Sequence, residues 1–339
     1  MATLRPVSGT SGEVLALLRD WQAAAEPEPL LVETSGSTGT PRGVLLSRAA
    51  MTASATATHA RLGGPGQWLL ALPATYVAGL QVLFRSVLAG TDPVLKSGSF
   101  AAAAASMTGP RRYLAIVPTQ LTRLLQTPEN AEALRGFDAV LVGGARTPPW
   151  LRSLAADAGV HVVATYGMSE TCGGCVYDGR PLDGVRVAVG DDERIKIAGP
   201  VLFDGYDAAP DETAAAMADG WFVTSDLGRL DEDGTLHVLG RIDDVIVSGG
   251  VNVPAPAVAE RLREHPAVDE AEVVGVPDVE WGEKVVAVVV GDLALDEARD
   301  WVSIVHPRTW APRELRHLSD IPLLDNGKVD RVAVERAAR

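Results

Sequence analysis

The sequence predicts an α/β protein in two parts. Residues 1–240 form a large N-terminal domain with mostly parallel sheets and a β-rich subregion. Residues 241–339 form a small α+β domain. Three observations carry this. Short apolar runs alternate with amphipathic stretches up to about residue 164, the pattern of strands joined by crossover helices. From Val185 the runs shorten and are separated by Asp/Gly turns such as Asp231-Glu232-Asp233-Gly234. After Gly240-Arg241-Ile242-Asp243-Asp244 a segment of about 95 residues has its own mix of elements. The total of 339 residues is about two domains at roughly 150 each.

The elements follow in order. An apolar strand is expected at 30–32. Buried strands are expected at 68–72, 113–117, 139–142 and 160–164, with helices at 47–61, 78–88, 119–125 and 150–158 between or beside them. Ser47 is suited to cap the first of these helices, and Gly63-Gly64 to end it. Residues 101–105 are an alanine-rich helix start without chemistry. Short strands follow at 185–189, 194–198, 221–224 and 235–239. The C-terminal part carries a helix near 255–263 and strands at 271–276 and 285–290. No internal repeat is present.

Composition excludes several classes. With 47% hydrophobic and 22% charged residues, neither disorder nor a fibre fits. A net charge of −14 argues against a general nucleic-acid binder or a basic membrane binder. The start, Met1-Ala2-Thr3-Leu4-Arg5-Pro6, lacks the pattern of a signal peptide, and no apolar run approaches the roughly 20 residues of a membrane span. A cytoplasmic protein is expected. Cys172 and Cys175 have the spacing of a redox pair or half a zinc site, but a second ligand pair is lacking. The alternative is two small buried residues beside a glycine turn. Of 30 basic residues only Lys96, Lys196, Lys284 and Lys328 are lysines. Arginine and lysine are not equivalent, so each remaining lysine invites a question.

The richest segment is Thr34-Ser35-Gly36-Ser37-Thr38-Gly39-Thr40-Pro41-Arg42-Gly43, directly after the first strand. Its glycines permit close backbone approach, its hydroxyls donate hydrogen bonds, and successive N–H groups can form an anion nest. Arg42 adds a fixed charge. The spacing is not that of the Walker loop. By composition alone the segment also fits a flexible surface loop.

The segment resembles the phosphate loop of the adenylate-forming superfamily, the acyl-CoA synthetases and their relatives. Four further segments resemble that family in the right order: Tyr166-Gly167-Met168-Ser169-Glu170-Thr171, Gly220-Trp221-Phe222-Val223-Thr224-Ser225-Asp226, Gly240-Arg241-Ile242-Asp243-Asp244, and Asn326-Gly327-Lys328-Val329-Asp330-Arg331. The resemblance implies the adenylate-forming enzyme fold with a mobile C-terminal domain, and ATP, magnesium and CoA as co-substrates or cofactors. It implies ATP contacts from Thr34, Ser35, Gly36, Ser37, Thr38, Gly39, Arg42, Gly143, Gly144, Ala145, Tyr166, Gly167, Met168 and Ser169, with Asp226 on the ribose. Glu170 and Thr38 are the implied metal-side residues. Lys328 is the implied adenylation lysine, and Arg241 is the implied catalytic arginine, in contact with ribose or phosphate. Asp243 is the implied hinge, and Ser248, Gly249 and Gly250 are on the CoA side. The chemistry suits these types. Two anions must meet when a carboxylate attacks an α-phosphate, so cations aimed at the developing charge are the main need. A lysine offers a mobile point charge on a flexible stem.

The stretch Leu72-Pro73-Ala74-Thr75-Tyr76-Val77-Ala78-Gly79-Leu80-Gln81-Val82-Leu83-Phe84-Arg85 resembles the o-succinylbenzoate–CoA ligases of menaquinone biosynthesis. So do the stretch from Ile116 through Thr119 to Leu125 and Gly173-Gly174-Cys175-Val176-Tyr177-Asp178-Gly179. The implied substrate residues are Tyr76, Gly79, Gln81, Arg85 and Thr119. o-Succinylbenzoate has two carboxylates, and the one not activated needs a cation if it is buried. Arg85, four residues after Gln81 on one helix, can bind it through two parallel hydrogen bonds. Three departures stand out: Arg42 for the usual lysine, Tyr76 for the usual histidine, and Ser225 for a glycine. The loop begins early, so a short form is expected, with a homodimer covering exposed sheet. Two other readings are another aryl- or acyl-CoA ligase and a degenerate member that binds ligand without turnover.

Overall fold

The computed structural model describes residues 5–34, 42–322 and 329–339. It separates into two compact units. The first holds Met1–Ala188, Lys196–Val223 and Glu232–Leu236; the second holds Val189–Ile195, Thr224–Asp231 and His237–Arg339.

In the first unit the strands at 67–70, 112–116, 139–142 and 162–168 pair in parallel. They belong to a seven-stranded sheet among the described residues, in the order Arg180–Pro181, Gly173–Tyr177, Val162–Met168, Ala139–Val142, Arg112–Ile116, Gln67–Leu70, Val94–Leu95. The Gly173–Tyr177 strand runs antiparallel to its neighbours. The four expected buried strands are thus the parallel core, as continuous apolar runs require when both sheet faces are covered. A second sheet pairs Leu30–Thr34 antiparallel with Arg42–Leu46, in a register that sets Thr34 opposite Arg42. Gly205–Tyr206 lies beside Arg42–Leu46.

Two helices place the residues of interest. The helix Arg48–Arg61 starts at Ser47, whose Oγ accepts from Ala50 N–H. The helix Val77–Ala89 is apolar nearly all round, with Leu80, Val82, Leu83 and Phe84 at 0% exposure. Each such side chain contributes about 1.5–3 kcal/mol on burial. Part of its cover is the helix Ser11–Ala23, which buries Val14, Leu15, Leu18 and Trp21. Trp21 meets Phe84 edge to face at 5.7 Å, and its Nε1–H donates to Glu28 O at 2.6 Å. That helix opens with a capping box between Thr10 and Glu13.

The β-rich subregion is a five-stranded sheet of Arg186–Val189, Arg194–Ala198, Trp221–Leu230 and Met217–Ala218, with Leu236–Arg241 beside Trp221–Leu230. In the second unit Val268–Asp278 and Gly282–Gly291 form a long antiparallel pair. The helix Ala255–Arg263 closes one face through Val258 and Leu262. The helix Arg331–Ala338 closes the other through Val334 and Ala338. Lys284 is structural: its Nζ pairs with Glu314 at 2.5 Å and with Asp278 at 4.0 Å. No helix among the described residues is long and apolar enough to cross a membrane.

Candidate active site

The phosphate-loop residues Ser35, Gly36, Ser37, Thr38 and Gly39, and the lysine Lys328, lie outside the described residues. Thr34 ends the strand Leu30–Thr34 and Arg42 begins the next. The two ends of the loop are therefore fixed side by side by sheet pairing.

Arg42 also makes contacts that the sequence did not reveal. Its Nε is 3.2 Å from Glu212, and its guanidinium lies over the Tyr206 ring at 5.6 Å. The Tyr206 hydroxyl in turn donates to Glu170 Oε1 at 2.9 Å. Burial, and then the Glu170 charge, push the Tyr206 phenol well above its ordinary pKa, so it stays protonated and donates. The structure thus brings Arg42 and Glu170 together through a tyrosine 36 residues from Glu170.

The Tyr166 to Thr171 motif is held from several sides. Tyr166, Gly167 and Met168 end the strand Val162–Met168, and Ser169 with Glu170 forms the turn Ser169–Thr171. The Thr171 hydroxyl donates to Gly173 O at 2.7 Å and accepts from Met168 N–H at 2.9 Å. Glu170 O accepts from Phe203 N–H at 2.9 Å. At Gly167 the facing strand comes so close that a Cβ would stand 2.1 Å from Gly173 O; only glycine fits there. Gly143, Gly144 and Ala145 follow the strand Ala139–Val142, and Gly143 N–H donates to Ile116 O at 3.2 Å. Gly144 and Ala145 are exposed.

The residues expected on the substrate side divide. Tyr76 is 54% exposed at the N-cap of the helix Val77–Ala89, and Thr119 is exposed in the first turn of Pro118–Leu125. Gly79, Gln81 and Arg85 are buried on one helix. Gln81 Nε2–H donates to Cys172 O at 2.8 Å, while its Oε1 has no partner among the described residues. Arg85 is 3% exposed and makes no ion pair among the described residues. Its guanidinium lies over the Trp68 ring at 5.1 Å, and Nη2–H donates to the Tyr177 hydroxyl at 3.4 Å. Nε has no acceptor. Burial lowers its pKa, and Tyr177 offsets part of that. His59, nearby on Arg48–Arg61, is pushed down to about 4, first by burial and then by the Arg85 charge. Sequence reading missed His59, Thr58, Trp68 and Tyr206 in these surroundings.

In the second unit Asp226 and Arg241 come together, Nη1 to Oδ1 at 3.9 Å. Thr224 Oγ1 accepts from Asp226 N–H at 3.0 Å. Asp243 is in the turn Ile242–Asp244. Its neighbour Asp244 pairs with Arg331, three residues beyond Lys328, and this raises the Arg331 pKa. Ser248 is buried, and Gly249-Gly250 form the turn between the strands Val245–Ser248 and Val251–Pro254. Both glycines have positive φ, 59° and 78°.

The cysteines resolve simply. Both are free and buried. Burial raises both thiols, Cys175 to about 12. Among the described residues no cluster of three metal-ligating side chains exists. They behave as small apolar residues.

Comparison with known proteins agrees with this geometry. The model of the AMP-binding enzyme family matches residues 30–207, and that of the AMP-binding enzyme C-terminal domain matches residues 257–328. The chain is 45% identical over 339 aligned positions to a probable 2-succinylbenzoate–CoA ligase of Mycobacterium tuberculosis (strain ATCC 25618 / H37Rv), covering 95% of this chain and 88% of that protein. It is 30% identical over 342 positions to the 2-succinylbenzoate–CoA ligase of Listeria monocytogenes serotype 4b (strain F2365), covering 95% and 72%. Among solved structures, the o-succinylbenzoate–CoA synthetase of Bacillus subtilis in complex with the acyl-adenylate intermediate OSB-AMP superposes with a TM-score of 0.74 at 29% identity, covering 90% of this chain and 68% of that one. With both family models matched in order around the motifs described above, the chain belongs to the AMP-binding, adenylate-forming enzyme family.

Proposed function

We propose that this chain is an ATP-dependent 2-succinylbenzoate–CoA ligase of menaquinone biosynthesis, acting in the cytoplasm. It joins the acid to AMP with release of pyrophosphate and then transfers the acyl group to CoA. The observation that carries the acid specificity is Arg85, a fully buried cation without an acidic partner among the described residues. Such a charge is costly unless something anionic pairs with it. A dicarboxylate supplies that partner through its unactivated end. A fatty acid does not.

The remaining roles follow from residue chemistry. Glu170 offers carboxylate oxygen to a magnesium ion shared with phosphate oxygens, the donor type that ion takes. Tyr206 holds one of its oxygens, and the other would be available to such an ion. Magnesium would neutralise phosphate charge during attack. Thr34, Ser35, Gly36, Ser37, Thr38, Gly39 and Arg42 receive the phosphates, Gly143, Gly144, Ala145 and Tyr166 the base, and Asp226 with Arg241 the ribose. Lys328 brings its ammonium to the acid and the bridging oxygen. For the second step residues 241–339 turn about Asp243, and Ser248, Gly249 and Gly250 serve the thiol side. The test is pyrophosphate release with 2-succinylbenzoate, ATP, magnesium and CoA. Release that depends on the dicarboxylate is expected. No release with any acid would leave a ligand-binding member, and release only with benzoate or a fatty acid would indicate a different ligase.

A further inference from the structure

Among the described residues Arg85 is held by neutral groups alone. One face of its guanidinium rests on Trp68 at 5.1 Å. Its one polar contact with a described side chain is the Tyr177 hydroxyl, 3.4 Å from Nη2. That hydroxyl is itself fixed, 3.0 Å from Thr58 Oγ1. A guanidinium only donates, so the Tyr177 oxygen accepts from Arg85, and the Tyr177 and Thr58 hydroxyls share a second hydrogen bond in which either can be the donor. Thr58 and Tyr177 are 0% and 1% exposed, so no solvent competes for these atoms. Tyr177 lies on the strand Gly173–Tyr177, Trp68 on the strand Gln67–Leu70 and Arg85 on the helix Val77–Ala89, so three separate elements meet at the guanidinium, with Thr58 of the helix Arg48–Arg61 behind Tyr177.

We propose that Tyr177, held by Thr58, is a positioning residue for substrate selection: it sets the orientation in which Arg85 presents its free Nε edge to the second carboxylate of the acid. The proposal rests on the reading of Arg85 as the carboxylate partner. A carboxylate at this position of the chain would neutralise Arg85 and remove its appetite for a ligand. A phenol orients the guanidinium and leaves its charge uncompensated. The Trp68 face fixes the plane, and Tyr177 fixes the rotation within that plane. Bidentate recognition needs both, because the two N–H vectors must be parallel to the two carboxylate oxygens.

The test uses the full chain and the variants Arg85→Ala, Tyr177→Phe, Thr58→Val and the double variant Y177F/R85A. Tyr177→Phe keeps the ring and removes only the hydroxyl. It is expected to raise KM for 2-succinylbenzoate about tenfold, with KM for ATP within twofold and kcat little changed. Thr58→Val is expected to act in the same direction by a smaller factor, and it keeps the test decisive if Tyr177→Phe folds poorly. With 4-oxo-4-phenylbutanoate, which keeps the aliphatic acid and lacks the ring carboxylate, both variants should match the unmodified chain. The double variant should equal Arg85→Ala alone, because Tyr177 acts only through Arg85. An Arg85→Ala variant with unchanged dicarboxylate KM would overturn the Arg85 reading itself. A raised KM in Arg85→Ala, with Tyr177→Phe and Thr58→Val both unchanged, would overturn the positioning role and leave Arg85 standing. Equal losses with both acids would assign Tyr177 to general packing instead.

Discussion

Gly79→Ala strikes the helix that carries Gln81 and Arg85 at its closest approach to neighbouring backbone. A Cβ there would stand 2.1 Å from the Pro73 carbonyl oxygen, 2.7 Å from its carbon and 3.1 Å from Leu72 O. All three are main-chain atoms, so no rotamer change relieves the clash. Reaching an ordinary contact distance moves the helix Val77–Ala89 away by at least about 1 Å. Two energies oppose each other. Alanine gains about 1 kcal/mol over glycine in helix propensity, whereas overpacking costs about 1–3 kcal/mol. A net destabilisation of up to about 2 kcal/mol is expected in urea unfolding. The functional effect is larger, because Gln81 and Arg85 ride on the same helix and move with it. A misplacement of about 1 Å can cost on the order of 100-fold. In a pyrophosphate-release assay kcat/KM for 2-succinylbenzoate should fall roughly 10–100-fold, with KM for ATP little changed. Unaltered stability together with unaltered dicarboxylate kinetics would refute the claim that this contact places the helix.

Three more expectations can be checked directly. Lys328→Arg should lose adenylation by on the order of 100-fold in ATP–pyrophosphate exchange, while Arg42→Lys stays within a few-fold; equal effects would show that the mobile ammonium is not what position 328 supplies. Tyr206→Phe should raise the magnesium concentration for half-maximal adenylation by roughly tenfold, with an unchanged unfolding midpoint; an unchanged magnesium requirement would remove Tyr206 from the support of Glu170. His59 has a folded pKa of about 4 against an ordinary 6.5, so its neutral form contributes stability that is complete above about pH 6.5 and lost as pH falls towards 4. Between pH 7 and pH 5 the parent chain should therefore lose about 2 kcal/mol more than His59→Phe in urea unfolding, and identical pH slopes would contradict the burial of that imidazole.

Much of both units is legible because its signals are local. The strand Ala139–Val142 and the helix Ala255–Arg263 coincide with the apolar run and the periodic stretch that announce them. Ser47 caps the helix it precedes. The helix Ser11–Ala23 escaped, although its Thr10 to Glu13 capping box is written in the sequence. The strand Trp221–Leu230 is far longer than its apolar start at 221–224. Ser225, Asp226 and Gly228 have poor strand propensity, and pairing with neighbouring strands overrides it. The glycine pair at 249–250, expected only from the family resemblance as part of the CoA side, forms a hairpin turn. Arg85 was visible as a cation out of place on an apolar helix. Its partners were not: Tyr177 is 92 residues away from it and 119 from Thr58. No periodicity or spacing encodes a contact of that range. Tyr206 was hidden from Glu170 for the same reason.

The setting of Arg85 has a consequence for how far this protein can be improved. A methionine of similar length would rest on Trp68 without a charge to desolvate, and apolar replacement of a buried ion is often neutral or favourable to folding. The core of this unit is thus not tuned for greatest durability. Selection for endurance alone, in a laboratory or a hot habitat, would press against position 85, and the first thing surrendered would be the ability to tell a diacid from a monoacid.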